Sequence, residues 1–131
     1  MEKIYTDKAP EAIGPYSQAI KIGNFIYTSG QIALLPNGEF LDSDIKTQTK
    51  QVCENLKAVL NKAGVELSNV VKTTIFLANI DDFGAVNEIY GEYFSHKPAR
   101  STIAVKTLPK NALVEIECVA VIEWNFKFCL I

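Results

Sequence analysis

Residues 112–124 alternate apolar and other residues in the pattern of a β-strand. The even-numbered positions are all apolar: Ala112, Val114, Ile116, Cys118, Ala120, Ile122 and Trp124. Because successive side chains of a strand point to opposite faces, this set predicts one fully buried face. The odd-numbered positions mix three glutamates with Leu113, Val119 and Val121, whereas a sheet face open to water alternates more cleanly. The strand therefore predicts a sheet that is covered on both faces.

Two segments have the spacing of amphipathic helices. In residues 45–63 the apolar side chains recur at helical intervals, Ser43 or Asp44 is placed to cap the start, and Gly64 is placed to end the helix. A second helix is predicted from Asp82 to about residue 95. Both have an apolar stripe that would pack against a sheet.

The remaining periodic segments predict strands. Val70–Leu77 is β-branched and aromatic, Ala19–Ile22 and Phe25–Thr28 flank a two-residue turn, and residues 101–106 precede the long last strand. The order ββ, α, β, α, ββ predicts an α+β fold with a mixed, partly parallel β-sheet and two helices packed on one face. Because two helices cannot cover both faces, we expect a second copy of the chain to cover the other one, which predicts a homo-oligomer.

Length and composition are those of one globular domain. The chain has 131 residues, of which 48% are hydrophobic and 21% charged. Residues 1–124 are predicted to form the domain, and residues 125–131 an apolar C-terminal tail. The net charge is −2 and the lysines are scattered, so electrostatics give no support to nucleic-acid binding.

The sequence also favours a cytoplasmic protein. The N-terminal residues are charged where a secretory signal has its apolar core, and no stretch approaches the roughly 18 apolar residues that span a bilayer. The three cysteines, Cys53, Cys118 and Cys129, have no CxxC spacing. Reduced thiols in a cytoplasmic setting are the simplest interpretation.

The common catalytic and cofactor motifs are missing from the sequence. The single histidine, His96, is near a predicted helix end, where a surface role is more typical than catalysis. The spacing of His, Cys and acidic residues predicts no metal site, and no phosphate- or dinucleotide-binding fingerprint occurs. No metal and no cofactor are therefore predicted.

Arg100 is the only arginine, whereas lysine fills the other 12 cationic positions. Its planar fork binds a carboxylate through two parallel hydrogen bonds, a geometry that lysine cannot reproduce. A position at the entry to a strand is common for site residues on a rigid scaffold. Spacing alone leaves two interpretations open, namely a substrate-binding arginine or a structural ion pair with Glu115 or Glu117.

Strand parity gives an expectation for the position of Arg100. If the last two strands form a hairpin that pairs Ala104 with Glu115, Ile103 and Val105 join the core face, while Arg100, Thr102 and Glu115 share the opposite face. Arg100 and Glu115 would then be roughly 13 Å apart along the strands. Either the register differs, or Glu115 meets the Arg100 of a neighbouring subunit.

Five segments in this order resemble the Rid family (also called YjgF, the reactive-intermediate deaminases), over residues from about Ile4 to Glu123. They are Ala12–Tyr16 (AIGPY), Thr28–Gln31 (TSGQ), Val71–Phe76 (VKTTIF), Pro98–Thr102 (PARST) and Val114–Glu117 (VEIE). The resemblance implies a chorismate-mutase-like fold, a homotrimer and active sites between subunits. It also implies hydrolysis of 2-imino or enamine acids, such as 2-iminobutanoate and 2-iminopropanoate, to 2-keto acids and ammonia.

The resemblance also assigns site residues. Arg100 would bind the substrate carboxylate, and Glu115, with a pKa raised by partial burial, would activate water. The pocket would be lined by Tyr16, Ser29, Gly30, Asn87 and Thr102. Many members have cysteine at the position of Thr102, where the implied contact is through the backbone.

Two other functions fit the same resemblance. One is a ligand-sensing regulatory or chaperone-like module that uses the same inter-subunit pocket. The other is an endoribonuclease or translation inhibitor, against which the acidic net charge, the single histidine and the missing basic groove all count.

Overall fold

The computed structural model describes residues 1–122. The predictions for Trp124 and for the tail at 125–131 lie outside the described residues. The elements, in chain order, are β1 (Glu2–Ile4), β2 (Ala19–Ile22), β3 (Phe25–Thr28), α1 (Ile45–Lys62), β4 (Val70–Leu77), α2 (Phe83–Tyr93), β5 (Ala99–Ala104) and β6 (Val114–Val121).

The six strands form one mixed sheet in the order β1-β2-β3-β6-β4-β5. The β4–β5 pair is parallel and the other pairs are antiparallel. This confirms the predicted α+β class with a mixed sheet and two helices. Strands β2, β3 and β4 have the predicted bounds, whereas β1 was not predicted and β5 begins two residues earlier than expected.

Helix α1 begins and ends where the sequence places its signals. The Asp44 carboxylate accepts a hydrogen bond from the Thr47 backbone N–H at 2.7 Å, which caps the N-terminus. Gly64 follows the last turn at φ +93°, a conformation that a side chain disfavours. The apolar stripe is fully buried: Val52, Cys53, Leu56, Val59 and Leu60.

The sheet has two different faces. The even-numbered residues of β6 from Val114 to Ala120 are buried beneath the helices, as predicted. The opposite side, here called the outer face, carries apolar side chains that are nearly half exposed, including Phe25 at 44%, Tyr27 at 47% and Ile103 at 48%. Cover by a second copy of the chain stays a prediction.

The predicted hairpin between the last two strands is wrong. Strand β4 lies between β5 and β6, and Arg100 pairs with Thr73 while Glu115 pairs with Phe76. Thr73 is fully buried on the helix side, so Arg100 is on the helix side too, whereas Glu115 is on the outer face. Ile103, expected in the core, is also on the outer face.

The topology has a simple physical reason. Strand β4, helix α2 and strand β5 form a strand–helix–strand unit, and such a unit commonly sets its two strands side by side and parallel. Strand β5 therefore takes one edge of β4, which leaves the other edge for β6. Alternation within a strand fixes which residues share a face, but it does not identify the neighbouring strand.

Candidate functional site

Glu115 and Gly30 are in direct contact on the outer side of the sheet. A Cβ atom at position 30 would lie 2.6 Å from Glu115 Oε2, so any side chain there would displace the carboxylate from this position. The contact is fixed by the backbone, because Gln31 and Ile116 exchange two hydrogen bonds of 2.9 and 3.1 Å. Only glycine at position 30 lets the Glu115 carboxylate take this position.

The Glu115 carboxyl group is half-buried and has a raised pKa. Loss of solvent is the main cause, and the negative charge of Glu117 on the same strand face adds to it. The direction is the one expected from the sequence. A raised pKa brings a carboxylate closer to the range in which it can accept and return a proton near neutral pH.

A cavity of about 620 Å³ opens beside the carboxylate of Glu115. Tyr16, Ser29 and Gly30 also line it, so the structure brings together four of the predicted site residues. Its apolar walls are formed by Pro10, Ala12, Ile13, Ile32, Leu34 and Pro109. We call Tyr16, Ser29, Gly30 and Glu115 the Glu115 group.

Gln18 holds the segment that covers this cavity, and the sequence did not identify it. Its side chain is 3% exposed, accepts a hydrogen bond from the Thr6 backbone N–H at 2.7 Å, and donates to the carbonyls of Thr6 and Pro10 at 3.0 and 2.8 Å. The Ser29 hydroxyl donates to the Ser17 carbonyl at 2.6 Å. The position of Gln18 directly after the Gly-Pro-Tyr-Ser turn is the one available signal.

Arg100 lies against helix α2. Its Nη1 donates a hydrogen bond to Asn87 Oδ1 at 2.6 Å, and its guanidinium carbon lies 5.2 Å from the ring centre of Phe83 and 5.1 Å from that of Tyr90. Among residues 1–122 Arg100 forms no ion pair. A structural ion pair with Glu115 or Glu117, one of the two interpretations left open by the sequence, does not form within the chain.

Thr102 lies on the same side of β5 as Arg100. Its hydroxyl oxygen is buried and has no hydrogen-bond partner within the described part of the chain. A buried hydroxyl of this kind is costly unless something satisfies it. We call Arg100, Asn87 and Thr102, with the rings of Phe83 and Tyr90, the Arg100 group.

The Glu115 group and the Arg100 group lie on opposite faces of one sheet. The predicted shared face of Arg100, Thr102 and Glu115 is therefore wrong. A small ligand cannot contact both groups in one chain, because the sheet separates them. A site that uses both needs two copies of the chain.

His96, Cys53 and Cys118 contribute no reactive group. The His96 ring nitrogen Nε2 lies 2.8 Å from the Val70 carbonyl oxygen, a structural contact. Cys53 and Cys118 are buried, and burial raises the pKa of both thiols, to about 12 for Cys118, so neither supplies a thiolate. Residues 1–122 contain no cluster of potential metal ligands and no helix long and apolar enough to cross a membrane.

The comparisons with known proteins agree on one family. The model of the family described as Endoribonuclease L-PSP matches residues 6–122. A RutC family protein of Pyrococcus abyssi is 54% identical over 121 residues, covering 91% of this chain and 95% of its own. Reactive Intermediate Deaminase A, chloroplastic, of Arabidopsis thaliana is 50% identical over 121 residues, covering 91% of this chain and 65% of its own.

A solved structure extends the comparison to the fold. The crystal structure of Escherichia coli TdcF with bound serine superposes with a TM-score of 0.89 at 38% identity, over 94% of this chain and 100% of that one. This chain and TdcF therefore share one fold.

Proposed function

The chain belongs to the Rid (YjgF) family, and from this premise we propose that it hydrolyses 2-imino and enamine acids to 2-keto acids and ammonia. The expected substrates are of the 2-iminobutanoate and 2-iminopropanoate type. A relative named as a reactive intermediate deaminase supports this activity. The free thiols of Cys53 and Cys118 fit a reducing compartment, and we assign the protein to the cytoplasm.

The observation that carries the proposal is that the guanidinium of Arg100 is held by neutral groups. Its guanidinium is held by an amide oxygen and two aromatic rings, and no acidic side chain of residues 1–122 neutralises it. An unneutralised guanidinium with unused N–H groups favours a planar anion, and carboxylate fits the fork. TdcF was solved with serine, whose carboxylate is also next to a carbon that carries nitrogen.

The reaction needs few groups. Arg100 binds the substrate carboxylate and so fixes the position of the imine carbon. The Glu115 carboxylate accepts a proton from water, and the water oxygen bonds to the imine carbon. As that bond forms, the electron pair of the C=N π bond moves to the nitrogen, and Glu115 gives the proton to this nitrogen, which yields a carbinolamine. Glu115 then takes the remaining proton from the hydroxyl oxygen and passes it to the nitrogen, the carbon–nitrogen bond breaks, and ammonia leaves as the C=O bond of the 2-keto acid forms. Such proton transfer is worth about 10²- to 10⁴-fold in rate.

The site is proposed to form between subunits of a homotrimer, with the chorismate-mutase-like assembly that the family resemblance implies. The Arg100 group would come from one chain and the Glu115 group from the next. The placement of the two groups on opposite faces of the sheet supports this. The half-exposed apolar residues of the outer face give the chain a surface that a second copy would cover.

The activity is tested on an imino acid that is generated in the assay mixture. A pyridoxal-phosphate-dependent serine/threonine dehydratase generates the imino acid, semicarbazide traps it, and the purified protein is added. We expect the protein to lower the yield of semicarbazone and to speed 2-keto acid formation, because it hydrolyses the imino acid before the trap reacts. Lack of any effect across a range of imino acids would remove the enzymatic proposal.

The second candidate is a binding module that uses the same pocket. It predicts saturable binding of a small carboxylate without turnover, so the same assay combined with calorimetry separates the two. The family is described as an endoribonuclease, but this chain has a net charge of −2, which does not favour RNA binding. Its one histidine, His96, contacts a backbone carbonyl.

A further inference from the structure

Helix α2 presents three residues to Arg100 from one face. Phe83, Asn87 and Tyr90 are spaced at i, i+4 and i+7, which places them above one another on a helix. Asn87 accepts the 2.6 Å hydrogen bond, and the two rings lie 5.2 and 5.1 Å from the guanidinium carbon. These distances are within the range of cation–π contact.

The ring of Tyr90 is itself fixed by the core. Its hydroxyl is 2.7 Å from Thr73 Oγ1, and its ring stacks on Phe94 with centroids 4.5 Å apart. Tyr90 is 6% exposed and Thr73 is fully buried. Because Thr73 is also the strand partner of Arg100, the backbone and the side chain of Arg100 are held by the same part of the core.

The groups that hold Arg100 are electrically neutral. An acidic partner would fix the guanidinium equally well, but it would neutralise the charge and compete with a substrate carboxylate. The acidic residue next to Asn87 on α2, Glu88, pairs with Lys46 instead, at 2.8 Å. The arrangement therefore orders the arginine while its positive charge stays available to an anion.

We propose that Phe83 and Tyr90 are positioning residues that pre-order Arg100 for the substrate carboxylate. The inference rests on the proposed role of Arg100 as the carboxylate-binding group. A long arginine side chain loses rotamer freedom when it is fixed, and a side chain that is already ordered avoids that loss on binding. Neither residue was identified from the sequence, where both read as ordinary apolar positions of a helix.

The kinetic test replaces Phe83, because it is 37% exposed and its loss leaves the core intact. For Phe83→Leu we expect KM for the imino acid to rise about fivefold and kcat to change less than twofold, the pattern of a lost uniform binding interaction. Phe83→Tyr keeps the ring and is expected to have the wild-type KM. Phe83→Met is a second aliphatic replacement that should behave like leucine.

A second readout does not depend on activity. Because Arg100 is the only arginine, protein labelled with ¹⁵N-arginine gives one Nε–Hε resonance that needs no assignment. We expect an order parameter near about 0.85 for the wild type and for Phe83→Tyr, and below about 0.6 for both aliphatic variants.

The two readouts separate the possible failures. If the wild type is inactive but its arginine is rigid and loosens in Phe83→Leu, the positioning inference stands and the deaminase proposal fails. If the wild type is active and Phe83→Leu has both an unchanged KM and an unchanged order parameter, the positioning inference is wrong.

Discussion

Replacing Arg100 with lysine is expected to lower kcat/KM for 2-imino acids by about 10²-fold, and replacing it with alanine by about 10³-fold or more. A hydrogen bond to a charged group contributes about 1.5–3 kcal/mol, and lysine keeps the charge but loses the second parallel bond. Lysine also loses the planar contact with the rings of Phe83 and Tyr90. The measurement is steady-state hydrolysis of an imino acid generated in place.

A matched control for Arg100 is available on the surface. Lys46 pairs with Glu88 of α2, and both side chains are more than half exposed. Lys46→Ala removes a cation next to the same helix, and we expect kcat/KM to stay within about twofold of the wild type, since exposed ion pairs contribute little. Full activity of Arg100→Lys would show that no bidentate clamp is used.

Replacing Glu115 with glutamine is expected to lower kcat by about 10²- to 10⁴-fold, because glutamine keeps the shape but cannot accept the proton. The thermal midpoint of Glu115→Gln at pH 7 should be no lower than that of the wild type. The raised pKa of Glu115 means that its ionised form is disfavoured in the folded chain, so its charge opposes folding above that pKa. The measurements are kcat and the thermal midpoint of both proteins.

The pH dependence of activity gives a second test of Glu115, with Glu117→Gln as the control. The reactive form of Glu115 is the carboxylate, so wild-type activity should fall with decreasing pH, at a higher pH than an ordinary glutamate of pKa about 4.3 would give. Glu117→Gln removes the neighbouring negative charge and should shift this fall to lower pH while kcat at neutral pH changes little. An unchanged kcat in Glu115→Gln would contradict the role of Glu115, whereas an unchanged pH profile in Glu117→Gln would show that loss of solvent alone raises the pKa of Glu115.

Sequence patterns predicted the elements better than their pairing. The bounds of β2, β3 and β4 and both ends of α1 follow from alternation, a glycine turn and capping residues, which are local signals. The partner of β6 depends on the α2 crossover, which is a property of the whole sheet. A one-strand error in pairing was enough to move Arg100 to the wrong face.

The residues of the candidate site were likewise predicted only in part. Tyr16, Ser29, Gly30 and Glu115 were predicted from motifs and lie around one cavity. Gln18, Phe83 and Tyr90 were missed, because a buried amide and two aromatic residues on a helix have no spacing that distinguishes them from core residues. Their roles depend on contacts that only the folded chain defines.

Arg100 lies on the helix side of the sheet and not on the face of Glu115, and this gives a different reason for a site shared between subunits. On one face, Arg100 and Glu115 would have been too far apart, at roughly 13 Å, for a small substrate. In the observed pairing they lie on opposite faces, so the sheet separates the two side chains within one chain. A site that contains both therefore requires a neighbouring subunit.

Subunit complementation tests this shared site most directly. Arg100→Ala and Glu115→Gln chains are co-expressed with different tags, and the mixed oligomers are purified by both tags in sequence. In a head-to-tail trimer of either mixed composition, one site in three combines an intact Arg100 with an intact Glu115, so about a third of wild-type activity should return. Mixed oligomers that stay as inactive as the two parent variants would contradict a site shared between subunits.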